Sequence, residues 1–358
     1  IQAVGGIATF SGLNLQEAGA KIFTATKEDT SSQSQGSMAI AQDSNQFTIT
    51  PGSVSATTST IALTPVVPPA DPLIANGIDS YTVTITLKDM YGNPVSGTRP
   101  VFASSISGDT LTQPTLNTNA MGESSGSISS TVADSTPPYR TLNITSPAGL
   151  TGVTIAAPFV PGTATKLAFT TQPSNSPAGA NGMGTIRVAI QDSNGNTITK
   201  GANATAPVSM AISNNVNGAV LTGTTTVNAV AGVATFTGLG ISKTGTGYRL
   251  LATSGSFTAA YSNTFNITAG TPNRIAVTGP ATVVSGLCST AVTFQLQDLG
   301  GNPANAVQNT SITISGLGTG QLFTSSTCSG AAVSATQTFT AGTNTKTYYL
   351  RDNKRSEE

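Results

Sequence analysis

The sequence predicts an all-β chain built from tandem β-sandwich domains, and three observations predict it. An alternating apolar strand that ends in an Asp-x-x-Gly-Asn turn occurs three times, at intervals the size of a domain. Short apolar runs bounded by Gly, Pro, Asn and Ser recur roughly every 8–12 residues, the spacing of sandwich strands. No stretch of useful length carries a 3.6-residue period, and Ser and Thr rather than Lys and Glu supply the polar positions, which suits strands.

The turn motif is clearest at 185–196. Ile186, Val188 and Ile190 alternate with Arg187, Ala189 and Gln191, so one face is buried. The run stops at Asp192-Ser-Asn-Gly-Asn196. An Asp carboxylate accepts bonds from backbone N–H groups just ahead of it, and Asn and Gly tolerate positive φ. The pattern repeats with Val83, Ile85 and Leu87 before Asp89-Met-Tyr-Gly-Asn93, and with Val292, Phe294 and Leu296 before Asp298-Leu-Gly-Gly-Asn302. Asp89, Asp192 and Asp298 are 103 and 106 residues apart, so each repeat is a domain rather than a solenoid turn. The predicted structural-turn residues are therefore Asp89, Gly92, Asn93, Asp192, Gly195, Asn196, Asp298, Gly301 and Asn302.

Four domains are expected. Residues 1–52 read as the back half of a repeat: Ala3-Val-Gly-Gly-Ile-Ala-Thr-Phe-Ser-Gly-Leu13 matches Ala229-Val-Ala-Gly-Val-Ala-Thr-Phe-Thr-Gly-Leu239, and Asn45-Gln-Phe-Thr-Ile-Thr50 matches Asn263-Thr-Phe-Asn-Ile-Thr268. A half sandwich with unpaired edges is unstable alone, so either the chain has been cut or something else completes this domain. The second domain, 53–162, opens on Ile61-Ala-Leu63 and closes with Val153-Thr-Ile155 to Phe159. Between them lies a polar middle with Ser124 to Ser130 and a Pro137-Pro138 turn. The third, 163–270, opens on Leu167-Ala-Phe169 and carries Tyr248-Arg-Leu-Leu-Ala252 and Phe265-Asn-Ile267. The fourth, 271–358, opens on Ile275-Ala-Val277, reaches Thr347-Tyr-Tyr-Leu350 and a charged tail, and is expected to lack its last strand. Linkers of a few residues with proline, such as Pro51-Gly52, predict an elongated, semi-rigid rod.

Composition limits the surroundings. Charged residues are 8% of the chain and the formal net charge is zero, so there is no electrostatic footprint for nucleic acid or an anionic membrane. No stretch approaches the roughly 20 apolar residues that span a bilayer. There is no signal peptide, and the chain opens on Ile1, so a mature product or an excerpt is expected. Cys288 and Cys328 fall within one repeat and the chain has no His, so a disulfide is the better reading than zinc. A disulfide implies an oxidising compartment, hence a secreted or surface-exposed protein.

With these residues in hand, the chain resembles the bacterial immunoglobulin-like repeats of large surface proteins of the invasin and intimin type. The resemblance rests on the apolar strand ending in Asp-x-x-Gly-Asn, as in Asp89-Met-Tyr-Gly-Asn-Pro-Val95, and on Gly232-Val-Ala-Thr-Phe-Thr-Gly-Leu239. It implies tandem seven-stranded immunoglobulin-like sandwiches in a stalk or adhesin. The chain has no Trp, and Cys288 precedes its apolar strand, which departs from the inter-sheet bond of antibody domains.

The chemical inventory points away from catalysis. Without His there is no triad, no His general base and no His metal ligand. Glu17, Glu28, Glu123, Glu357 and Glu358 are the only glutamates, and no two acids share a recognisable catalytic context. The protein is expected not to be an enzyme and to need no cofactor. Each Asp-x-x-Gly-Asn turn supplies one carboxylate, so a satisfied turn is expected rather than a calcium site. Tyr91 and Tyr139 are the candidate ligand contacts, as rings expected at loop tips, whereas Tyr348 and Tyr349 fall in an apolar run. Gly245-Thr-Gly247 does not open a helix and carries no nucleotide site.

The expected function is structural: a stalk segment of a bacterial surface or secreted protein that gives reach and stiffness. Two alternatives stand beside it. The loops of an adhesin would contact a cell-surface receptor or glycan, or the incomplete end domains would complete one another head-to-tail by strand addition. Expected partners are neighbouring domains of a longer chain or copies of itself, with no nucleic acid and no membrane span.

Overall fold

The structure is a computed structural model that describes residues 4–26, 41–66, 71–134, 139–179, 182–215 and 218–352. The Pro137-Pro138 turn and residues 353–358 of the charged tail lie outside the described residues. No α-helix occurs among the described residues, and the one helical element is a short 3-10 turn at Ala202–Thr205. The described residues are all-β, and the chain divides into two compact units, Ile1–Gly162 and Thr163–Glu358.

Within the first unit, residues 54–159 form a sandwich. One sheet has the antiparallel order Thr60–Thr64, Ser80–Thr86, Glu123–Ser129, Thr110–Thr112, and the other has Thr154–Ala156, Thr141–Ser146, Val101–Ser104. Tyr81, Val83 and Ile85 alternate inward along Ser80–Thr86, Leu87 follows at its end, and all four are fully buried with Phe102, Ile128, Leu142 and Phe159. Each such side chain contributes roughly 1.5–3 kcal/mol by leaving water. The Tyr81 hydroxyl donates to the Pro158 carbonyl (2.8 Å) and accepts the Leu73 N–H (3.0 Å), so its polar end is paired inside the core.

The serine-rich stretch after Gly122, in the expected polar middle, is an inner strand of its sheet. Glu123 stands opposite Thr86 just as Val233 stands opposite Ala189 in the second unit, each three residues before its turn Asp. Glu123–Ser129 is thus a polar counterpart of Val233–Phe236. Where Phe236 fills the core, Gly126 leaves room: a Cβ there would lie 2.9 Å from the Phe102 ring. The buried Ser124 hydroxyl donates to the Leu116 carbonyl (2.7 Å). An alternating apolar pattern was not needed, because Phe102 from the facing sheet supplies the volume.

A buried charge cluster closes one end of this sandwich, and nothing in the sequence reading singled it out. Arg140 is fully buried. Its Nε donates to Asp109 (2.7 Å), Nη1 to Asp134 (3.2 Å) and the Ala157 carbonyl (3.4 Å), and Nη2 to Ser130 (3.1 Å) and the Val132 carbonyl (2.8 Å). The guanidinium also lies 4.9 Å from the Phe159 ring centroid.

Residues 4–49 of the first unit carry two small antiparallel pairs, Gly19–Lys21 with Phe47–Ile49 and Thr24–Thr26 with Ala41–Asp43. Phe10 and Leu13 are 61% and 64% exposed, whereas the matching Phe236 and Leu239 are 1% and 0% exposed.

In the second unit, residues 164–267 enclose the largest core, with Lys166–Thr171, Ile186–Gln191 and Val233–Phe236 in one sheet and Thr226–Asn228, Pro207–Ile212, Leu250–Thr253 and Ala260–Tyr261 in another. Residues 292–350 enclose a smaller core of Phe294, Leu296, Ala306, Ile314, Leu322, Phe339 and Tyr348. Its sheet runs Arg274–Thr278, Val292–Gln297, Thr345–Arg351, Gln321–Phe323, so Tyr348 and Tyr349 lie in a strand, with the Tyr348 ring buried.

Candidate functional site

The three Asp-x-x-Gly-Asn turns share one geometry. In each, the Asp N–H donates to the Asn carbonyl (3.0, 3.0 and 2.9 Å for Asp89, Asp192 and Asp298) and the Gly N–H donates back to the Asp carbonyl (3.0, 3.2 and 3.0 Å). The Asn N–H donates to Asp Oδ1 at 2.9 Å in all three. Gly92, Gly195 and Gly301 sit at φ +87°, +92° and +79°, a region an L side chain enters only with strain. The carboxylates are buried, 1–2% exposed.

Two of these turns also bind what precedes them in their own unit. Asp89 Oδ2 accepts the Gly52 N–H (2.9 Å), and Asp298 Oδ2 accepts the Gly270 N–H (3.0 Å). The Asn93 amide donates to the Gln16 carbonyl (2.7 Å) and accepts the Ala18 N–H (2.9 Å). The Asn302 amide donates to the Ser242 carbonyl (2.9 Å) and accepts the Thr244 N–H (3.2 Å). Lys243 Nζ adds a bond to the Gly300 carbonyl (3.1 Å), and buried Tyr248 holds the Lys243 carbonyl (3.1 Å).

These contacts set the electrostatics. Burial pushes the Asp89 carboxyl up, but the Asn93 side chain and the N–H groups of Gly52, Asn93 and Tyr91 outweigh it and hold the carboxyl below its ordinary value. Asp298 is likewise raised by burial and brought below its ordinary value by Asn302, Gly270 and Gly300. Oxygens surrounded by N–H donors present no free lone pair to a cation, and no cluster of three His, Cys, Asp or Glu occurs among the described residues.

Tyr91 and Tyr139 both lie at the surface, 50% and 41% exposed. Tyr91 lies inside the Asp89 turn and lines an open groove of about 480 Å³ with Gly52, Val54, Met90 and Gly149. Cys288 and Cys328 are disulfide-bonded across 40 residues. Sequence reasoning found the turns but saw them as local. The Gln16–Ala18 and Ser242–Thr244 backbones that receive the Asn amides have no side-chain signature, so no residue pattern announces them.

Sandwiches that repeat at domain spacing, each carrying a buried turn at one end, define a tandem immunoglobulin-like protein. Residues 63–148 match the family described as bacterial Ig-like domain, group 1. No curated protein matches the chain. Solved structures that align with it include the FdeC adhesin of Escherichia coli, at 20% identity over 85% of this chain and 91% of that one, with a TM-score of 0.37. InvD of Yersinia pseudotuberculosis aligns at 22% identity over 84% of each chain, with a TM-score of 0.38. Invasin, a bacterial integrin-binding protein, aligns at 18% identity over 83% of this chain and 55% of that one, with a TM-score of 0.29.

Proposed function

We propose that the chain is a spacer segment of a bacterial surface or secreted protein, made of domains bounded at 1–52, 53–162, 163–270 and 271–358. Its task is reach and stiffness. The observation that carries this reading is the capture of the linker glycines. Gly52 and Gly270, which would otherwise be free hinges, each give their N–H to a buried turn carboxylate. A glycine so held loses the conformational freedom that makes a linker flexible. The bacterial Ig-like domain at 63–148 supports a surface location, as does the disulfide, which persists in oxidising surroundings. No catalytic role is proposed.

Two observations favour other readings. Tyr91 and Tyr139 are exposed rings suited to a receptor or glycan. Phe10 and Leu13 are exposed where their counterparts are buried, and a strand from a longer parent chain or from a second copy would cover them. The replacement of Tyr91 and Tyr139 by Ser in the full chain separates spacer from adhesin. Unchanged attachment to cells and glycan arrays supports the spacer, and lost attachment assigns binding to those loops.

A further inference from the structure

We infer that the side-chain amides of Asn93 and Asn302, which close the Asp89 and Asp298 turns, are interdomain rivets: each pairs, donor and acceptor together, with the backbone of the domain before its own. The inference rests on the spacer reading and names the contact that supplies its stiffness.

Two junctions, one in each unit, carry the same contact. Asn93 gives its Nδ2 to the Gln16 carbonyl and takes the Ala18 N–H on Oδ1, at 2.7 and 2.9 Å. Asn302 gives its Nδ2 to the Ser242 carbonyl and takes the Thr244 N–H on Oδ1, at 2.9 and 3.2 Å. In both cases the receiving groups are a carbonyl and the N–H two residues later. They also occupy the same place in the repeat: the alignment that matches Gly6 with Gly232 matches Gln16 with Ser242 and Ala18 with Thr244. A chance contact between surfaces would not recur at matched positions on both sides.

The residue type is required at this site. A primary amide is the side chain that offers a donor and an acceptor side by side, the arrangement of a peptide group, so it closes a two-bond ring on a loop as a neighbouring strand would. An Asp would supply acceptors only and would face the turn carboxylate with like charge. The second Nδ2 hydrogen is already committed: Asn93 donates to Asp89 Oδ2 (2.8 Å) and Asn302 to Asp298 Oδ2 (2.9 Å). That bond fixes which way the amide faces and aims its free edge at the preceding domain. The Asp therefore does two tasks: it holds the linker glycine with one oxygen and orients the rivet. At the Asn302 junction, Lys243 bonded to the Gly300 carbonyl adds a third link.

The partner of this surface is therefore a backbone shape, not a side-chain sequence. Any domain that presents a carbonyl and an N–H two residues on, in the loop before its Gly245–Tyr248-type strand, fits the Asn of the next. Domain order along the spacer is then interchangeable, with the joint preserved.

The test uses the full chain. Asn302→Ala and Asn93→Ala are made separately, and amide hydrogen exchange is read residue by residue at Thr244 and Ala18. Nitroxide labels introduced at the exposed positions Val230 and Val284 report the spread of distances across the Asn302 junction. The expected result is exchange at Thr244 about 2- to 10-fold faster in Asn302→Ala, and at Ala18 in Asn93→Ala, each leaving the other site unchanged. The distance distribution broadens in Asn302→Ala, while the Phe294 and Leu296 amides stay protected. Faster exchange confined to the N–H groups of the mutated turn itself, with Thr244, Ala18 and the distances unaltered, would mean that the Asn serves its own turn only and would overturn the rivet. Should Asn302→Ala unfold its domain, the Asn93→Ala arm decides alone. A failed rivet leaves the spacer reading intact, since that stands on the reach of the whole chain.

Discussion

Arg140 and Asp109 form an ion pair 2.7 Å apart with side chains 0% and 1% exposed. The five guanidinium N–H groups have partners, but Asp109 Oδ1 has none among the described residues. Such a cluster is weak evidence for net stability yet severe to break, because a removed partner leaves buried charge uncompensated. Arg140→Met is predicted to destabilise the 54–159 core by about 3–5 kcal/mol in urea unfolding. Arg140→Lys is predicted to rescue little, since a point charge cannot serve two carboxylates, a hydroxyl and two carbonyls in one plane. A cost below about 1 kcal/mol would place the cluster with ordinary surface pairs.

The turn carboxylates make the chain sensitive to acid. Asp89 and Asp298 are held below the ordinary Asp value of 3.8 in the folded state. Their contribution is therefore complete at neutral pH, begins to fall as the pH drops to the unfolded value near 4, and is gone below the depressed folded value. Thermal unfolding from pH 7 to pH 2 is predicted to show a steeper acid loss for the natural chain than for Asp298→Asn, which starts lower at pH 7. Parallel profiles would remove the carboxylate from the account.

Gly232 tests the other sequence signature. It lies at φ +79°, its carbonyl accepts the Ile190 N–H (2.8 Å), and a Cβ would fall 2.1 Å from the Ile198 carbonyl oxygen. Gly247, at φ +73°, has nothing within 4 Å of its added Cβ. Backbone strain alone costs about 1–3 kcal/mol at such positions. Gly232→Ala is therefore predicted to destabilise more than Gly247→Ala in chemical denaturation. Equal effects would show that the close approach relaxes without cost.

The disulfide ties Cys288, just ahead of residues 292–350, to Cys328 within them, and those residues hold the smallest of the three cores. Closing a loop of 40 residues is worth about 4 kcal/mol on the chain-entropy estimate. Calorimetry after reduction is predicted to shift the transition of the 292–350 core downward and to leave the other transitions in place. A uniform shift would mean that the cores do not unfold independently.

The apolar strands and their turns were legible in the sequence because their signals are local. Val83, Ile85 and Leu87 alternate, and the Asp that follows bonds within four residues. The Glu123–Ser129 strand was hidden because its partner in the core is Phe102, a residue on the facing sheet, so no periodicity marks it. Arg140 was hidden for the same reason: its partners lie up to 31 residues away and meet only after folding. The Asn amides were read as turn residues, and their second contact is with backbone, which leaves no trace in residue type.

The central claim is that tandem domains hold one another at reach. Small-angle scattering of the full chain, with light scattering across a concentration series, tests it most directly. The account predicts a constant monomer mass and a radius of gyration well above the roughly 20 Å of a compact fold of 358 residues. A radius near that compact value would contradict the spacer, and a mass that grows with concentration would make the chain a filament subunit instead.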